Sequence, residues 1–187
     1  MTNQAQGAEA ELPGKPTSAS RTTLSHIMTQ SDTNLLGTVH GGVIMKLVDD
    51  AAGAVAGRHS EGPAVTASMD EMAFLEPVRV GDLVHVKAQV NWTGRSSMEI
   101  GVRVLAERWN KSMPATQVGS AYLVFTAVDG EGKPRPVPPV IPETDRDKQR
   151  YQEAEIRRTH RLARRRAIKE LRARRAAEAA EAAGGLP

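Results

Sequence analysis

The chain contains no cysteine, which excludes a disulfide framework, a thiol nucleophile and any cysteine-ligated metal. No run of residues approaches the roughly 18–20 apolar positions that a membrane-crossing helix requires. The first twenty residues lack the charged start and apolar stretch of a secretory signal, so a cytoplasmic location is expected. Gly-rich phosphate loops of the Walker or dinucleotide type are missing as well. The five histidines show no carboxylate–His spacing suited to a metal, so neither a metal site nor a cofactor is expected. Aromatic residues are scarce, with two Trp, two Tyr and two Phe among 187 residues.

The composition that remains, 40% hydrophobic and 25% charged, is ordinary for a globular protein, but it is unevenly distributed. Nearly every long apolar stretch falls between residues 21 and 128. The net charge of +3 also hides an asymmetry: from Glu143 onward there are 13 Lys/Arg against 8 Asp/Glu, and before it 12 against 14. The high isoelectric point thus belongs to the C-terminal segment and says nothing of the domain's ligand. Three regions follow: a leader (1–20) whose Ala, Gln, Gly, Pro, Ser and Thr predict disorder, a domain (21–142), and an Arg/Ala-rich helical tail (143–187).

Within the domain, "RTTLSHIM" (21–28) reads as a first strand and "TQSDTNLLGT" (29–38) as a loop. From Gly42 to His59 the apolar spacing is helical: Val43, Ile44, Leu47, Val48, Ala51, Ala52 and Val55. The remaining positions are mostly small, which predicts a helix buried nearly all round, with Gly53 and Gly57 allowing close approach of other backbone. The period then changes to two. Residues 64–75, 83–92, 97–109 and 116–128 read as four strands, the second with Val84, Val86, Ala88, Val90 and Trp92 on one face. Turn-like links make them antiparallel neighbours. The fold class is therefore α+β, one long helix wrapped by an antiparallel sheet. "DGEGKPRPVPPVIP" (129–142), with five of the 11 prolines, ends the sheet.

The stretch "TVHGGVIMKLVDDA" (38–51) carries the chemistry. Unpaired N–H groups at a helix start favour negative charge, so Gly42 and Val43, beside Gly41, can polarise a carbonyl and stabilise an oxyanion. A carboxylate in a buried helix must be paired, protonated or functional. Asp49 and Asp50 lie about 100° apart on the helix, so at most one serves such a site, and spacing alone leaves the choice open. Seven residues from Gly42, about 10 Å along the axis, Asp49 cannot reach the same carbonyl as its own helix start. If both act on one substrate, a second copy must supply one of them, which predicts a dimer with sites at the interface.

Taken together, "SDTNLLGTVHGGVIMKLVDDAAGAVA", "FLEPVRVGDLV" and "WTGRSSMEI" resemble the hotdog-fold acyl-CoA thioesterases of the YciA and brain acyl-CoA hydrolase group, over roughly residues 21–137. The resemblance implies a hotdog fold, a homodimer that assembles further into a trimer of dimers, and hydrolysis of acyl-CoA to fatty acid and CoA, with CoA part of the substrate. It also implies that Asp49 is the catalytic carboxylate and Asn34 the catalytic asparagine. Arg95, Ser96 and Ser97 in "TGRSS" are candidates to hold CoA phosphates; Lys133 and Arg135 are weaker ones. His40 reads more readily as a cap or a packed turn than as a catalyst. An alternative reading is a non-catalytic hotdog acyl-CoA-binding regulator whose basic tail contacts nucleic acid; a hotdog dehydratase lacks its His–carboxylate pair here. Between Arg157 and Arg175 the tail has ten Lys/Arg and one acid but only Tyr151 nearby for base stacking. A solvated helix is therefore expected rather than a nucleic-acid or lipid contact.

Overall fold

The computed structural model describes residues 12–184. Its main sheet has five antiparallel strands, β2 (Thr22–Ile27), β3 (Ala64–Phe74), β4 (Asp82–Thr93), β5 (Ser97–Arg108) and β6 (Thr116–Ala127), in the order β2-β4-β5-β6-β3. Between β2 and β3 runs the helix α1 (Gly41–Ser60). The expected order of strand, loop, helix and four strands is observed, and a long helix against one face of such a sheet is the hotdog arrangement. Pro77, which has no N–H for a ladder, follows β3 as the chain leaves that edge. Gly81, at φ 78°, supplies the left-handed turn into β4.

The inward face of α1 is Ile44, Val48, Ala51, Ala52, Val55 and Ala56. These pack on the alternating residues Val84, Val86, Ala88 and Val90 of β4 and Met98, Ile100, Val102 and Val104 of β5. The helix is not covered all round: Met45, Lys46, Asp50, Ala54 and Arg58 are exposed, because a single sheet reaches only one side of it. Nor do Gly53 and Gly57 mark a close approach. A Cβ at either would meet its first neighbour at 3.7 and 3.6 Å, ordinary contact distances.

Part of the leader is ordered. Residues 1–11 lie outside the described residues, but Lys15–Pro16 form a short strand β1 pairing in parallel with β7 (Val140–Ile141). Thr17 and Ser20 are buried. The pin is His59, fully buried at the end of α1: its Nε2 donates to the Pro138 carbonyl (2.9 Å) and its Nδ1 accepts from Ser20 Oγ (3.3 Å). Composition pointed to disorder because one residue, 39 positions away, supplies the anchor. Burial holds the His59 pKa below the ordinary histidine value, against the opposing effect of its bond to Pro138, and the charge of Lys15 adds to the depression. The folded state therefore resists a proton that the unfolded chain accepts. Stability is full above about pH 6.5 and falls as pH drops below it. Urea titrations from pH 8 to 5 should show that fall, and His59→Gln should flatten it.

A second helix, α2 (Asp145–Gly184), crosses the outer face of the sheet. Thr144 and Asp147 cap its start reciprocally: Thr144 N and Oγ1 donate to Asp147 Oδ2 (3.2 and 2.8 Å), and Asp147 N donates back to Thr144 Oγ1 (3.1 Å). Asp147 and Ala154 are buried, Arg157 pairs with Glu99 of β5, and Arg161 pairs with Asp70 of β3. The first half of the tail is thus docked, not solvated; residues 162–179 are exposed. Trp92 belongs to this outer layer too. A bulge between Val90 and Trp92 sets Trp92 opposite Glu99, shifting it off the face of Val84–Val90 to where Arg158 lies 4.8 Å from its ring centroid.

Candidate active site

Asn34 ties its own loop. Its Nδ2 donates to Thr38 Oγ1 (2.9 Å) and to the Val39 carbonyl (3.5 Å), while its Oδ1 accepts from Leu36 N (2.8 Å) and Thr38 N (3.3 Å). This local bonding delivers Val39 into the core and His40 to the N-cap of α1.

The ring of His40 then accepts from Gly42 N at its Nδ1 (2.8 Å), and the His40 carbonyl accepts from Val43 N (2.9 Å). Two of the three expected carbonyl-polarising donors are therefore occupied within the chain, and only Gly41 N carries no bond among the described residues. Gly42 is glycine because a Cβ would lie 2.9 Å from His40 Nδ1. Removing the ring with His40→Ala should cost a helix cap, about 0.5–2 kcal/mol, lowering Tm by a few degrees. At the same time it exposes Gly42 N, so kcat should stay within about twofold. A hundredfold loss of kcat in a folded variant would make the ring a catalyst instead of a cap.

The two adjacent aspartates have different environments. Asp50 is exposed and pairs with Lys46 one turn back (2.5 Å), an ordinary helix-surface pair. Asp49 turns toward β3, where Thr66 Oγ1 donates to its Oδ1 (2.7 Å). Thr66 escaped the sequence reading because nothing distinguishes it from other polar positions on an alternating strand. The helix start lies toward the opposite end of β3, with Gly41 against the ring of Phe74, so in one chain Asp49 and Gly41 are not brought together.

Beside the helix start is a cavity of about 330 Å³ lined mostly by apolar groups, including Val39, Gly41, Ile44, Phe74, Leu75 and Val118. A larger one of about 480 Å³ is remote from Asp49, on the outer face of the sheet. "TGRSS" forms the β4–β5 hairpin, closed by Gly94 N donating to the Ser97 carbonyl (2.8 Å). Its end of the sheet is also that of Thr66, since Met98 pairs with Phe125 and Phe125 with Thr66. Lys133 pairs with Glu131, and Arg135 binds the Ser60 carbonyl at the end of α1 (2.8 Å) as well as Val128 O and Ser60 Oγ, so both are committed within the chain. Among the described residues no three His, Asp or Glu gather as a metal-binding group.

The model of the Thioesterase superfamily matches residues 36–110. Over 141 residues the chain is 40% identical to the cytosolic acyl coenzyme A thioester hydrolase of Mus musculus, an alignment covering 75% of this chain and 37% of that protein. The chain thus spans little more than a third of that relative's length. It is 42% identical over 119 residues to the uncharacterized acyl-CoA thioester hydrolase YkhA of Bacillus subtilis (strain 168), covering 62% of this chain and 67% of YkhA. Among solved structures, an acyl-CoA hydrolase from Staphylococcus aureus in complex with butyryl coenzyme A, coenzyme A and coenzyme A disulfide matches with a TM-score of 0.79 at 36% identity, covering 88% of this chain and 99% of that one. A hexameric acyl-CoA thioesterase matches equally, with a TM-score of 0.79 and 36% identity, over 82% and 97% of the two chains. The Staphylococcus aureus hydrolase has also been solved with an asparagine, an aspartate and a threonine each replaced by alanine. The aspartate follows the asparagine by 15 residues and the threonine follows the aspartate by 17, the intervals that separate Asn34, Asp49 and Thr66 here.

Proposed function

The chain belongs to the thioesterase superfamily, among the acyl-CoA thioester hydrolases, and on that premise we propose that it cleaves acyl-CoA to a free fatty acid and CoA without a cofactor. The observation that carries the reading is the Asp49 carboxylate, gripped at one oxygen by Thr66 and so aimed away from the surface pair that occupies Asp50. Its other oxygen is left for chemistry. Asp49 takes a proton from water, or attacks the acyl carbon itself and forms an anhydride that water then opens. In either case an oxygen–carbon bond forms, the C–S bond breaks, and a proton ends on the departing CoA thiolate.

The thioester carbonyl rests at the helix start of another subunit, against Gly41 N–H and, when the His40 ring swings aside, that of Gly42, with Val43 N held to the His40 carbonyl behind them. The apolar cavity there accepts the acyl or pantetheine chain, and Asn34 orients the water or the thioester. Arg95, Ser96 and Ser97 hold CoA phosphates at the sheet end shared with Thr66. A homodimer completes this site. β3 is a long edge strand with Val65 and Phe74 about half exposed, and such an edge pairs readily with a second copy. The hexameric relative supports a trimer of these dimers, and the cytosolic relative supports a cytoplasmic location. Names and structures of the relatives speak for hydrolysis over a non-catalytic regulator. The test is thiol release from a panel of saturated acyl-CoAs, with the assembly's mass measured alongside; acyl-CoA binding without release across the panel would overturn the reading.

A further inference from the structure

The cavity of about 480 Å³ lies between the first turns of α2 and the outer face of β4, β5 and β6. Asp49 is on the other side of the sheet, and the proposed hydrolysis does not use this space. Five cations line it, Arg21, Lys87, Arg103, Arg146 and Arg150, against two carboxylates, Asp147 and Glu153, a surplus of three positive charges.

The acids do not balance that surplus. Asp147 is saturated by Arg21, Arg150 and two neutral donors: its Oδ1 accepts from Arg21 (3.4 Å), Gln89 (3.1 Å) and Arg150 (3.4 Å), and its Oδ2 from Thr144. The side chains of Lys87, Arg103 and Arg146 have no hydrogen bond or ion pair among the described residues. Lys87 and Arg103, moreover, stand directly opposite each other on β4 and β5, an arrangement of like charges that costs stability unless an anion lies across them. The crowding is felt by Arg150, whose pKa is depressed by burial and then by its neighbours Arg146 and Arg103.

We propose that this cleft binds a small polyphosphate, with Lys87 and Arg103 below it on the sheet and Arg146 and Arg150 above it on α2. Guanidinium forks match phosphate oxygens in pairs, and the cavity volume is in the range of small-ligand sites. The neutral lining, including Gln117 and Ser120, adds hydrogen-bond donors. Arg157 covers one face of the Tyr122 ring at 3.7 Å and no other aromatic side chain among the described residues lines the cleft, so the cleft reads charge and not a nucleobase. Binding there joins α2 to the sheet by charges that are otherwise mutually repelling.

The full chain is titrated calorimetrically with inorganic tripolyphosphate and with adenosine triphosphate, at constant ionic strength. Both should bind with similar affinity and raise Tm, whereas added sodium chloride at equal ionic strength should not. The double variant K87Q/R103Q should fold with a Tm no lower than wild type, because a repulsive pair is gone, and should weaken both ligands at least tenfold. Adenosine triphosphate binding more than tenfold tighter than tripolyphosphate would keep the phosphate site but overturn the charge-only reading. The proposal fails if sodium chloride reproduces the Tm rise, if K87Q/R103Q binds like wild type, or if Arg95→Ala alone abolishes binding, which would move the anion to the CoA site.

Discussion

Asp49→Ala is expected to abolish turnover, lowering kcat/KM for a good acyl-CoA by at least roughly a thousandfold, near the upper range for loss of a general base. The loss should fall on kcat, with acyl-CoA still bound and the oligomer intact, because Asp49 sits on a part-exposed stripe of α1 and fills no core position. Asp50→Ala is the control. It removes only an exposed pair with Lys46, worth a few tenths of a kcal/mol, and should leave kcat unchanged. Thr66→Val should cut kcat about tenfold by releasing Asp49 Oδ1, and Thr66→Ser should restore it because the hydroxyl is what matters. Single-turnover hydrolysis in ¹⁸O-water tests for the anhydride: label in the Asp49 carboxylate shows an anhydride that water opens at the aspartyl carbon, because a general base leaves none there. Equal loss in the Asp49 and Asp50 variants would refute the assignment.

Apart from the family resemblance, that assignment is only half legible in the sequence. Two adjacent carboxylates 100° apart say that one faces the fold, not which one. The choice depends on Lys46, four residues back and able to neutralise Asp50, and on Thr66, across the chain on β3. The glycines were read as open donors. In the structure the His40 ring occupies Gly42 N, since a histidine at an N-cap with glycine two residues on can fold its ring over the helix start, and its backbone carbonyl occupies Val43 N. Spacing alone does not reveal a side chain that turns back on its own backbone.

The fold was more legible because its signals are periodic. Alternation over residues 83–92 and 97–109 placed β4 and β5 within a residue or two of their observed ends, and the switch from a 3.6 to a 2 period at residue 61 separated α1 from β3. Misreadings fell where one contact decides. Trp92 follows the alternation of β4 on paper, but one extra residue at the bulge reverses its face. Ser20 and Thr17 look like leader composition, yet His59 buries one and the β1–β7 pairing shelters the other. Charge density in the tail suggested solvent, and that holds for residues 162–179. Its first half docks because Glu99, an acid within a β strand, waits on the outer face for Arg157.

Removing that dock's central cation should therefore be the costliest single change to stability. Glu99 is 1% exposed. Arg157 grips it through Nη2 (2.6 Å) and Nε (3.2 Å), and Asn91 Nδ2 adds a weaker bond (3.3 Å). Burial lowers the Arg157 pKa, but the bond and charge of Glu99 outweigh it and hold the guanidinium above its ordinary value. Arg157→Ala strands a buried carboxylate with one amide donor, a loss of about 3–5 kcal/mol for pairs of this kind. It also uncovers the ring of Tyr122. The unfolding free energy should drop by that amount, or α2 should peel away and become the first segment cut by trypsin, limiting the loss to the docking energy of the helix. Adding Glu99→Gln to Arg157→Ala should recover most of the difference, because a neutral amide tolerates the site that a lone charge does not. If the single variant unfolds like wild type and trypsin spares α2, the pair contributes nothing, and the helix is held by its other contacts, Ala154, Asp147 and Arg161 among them.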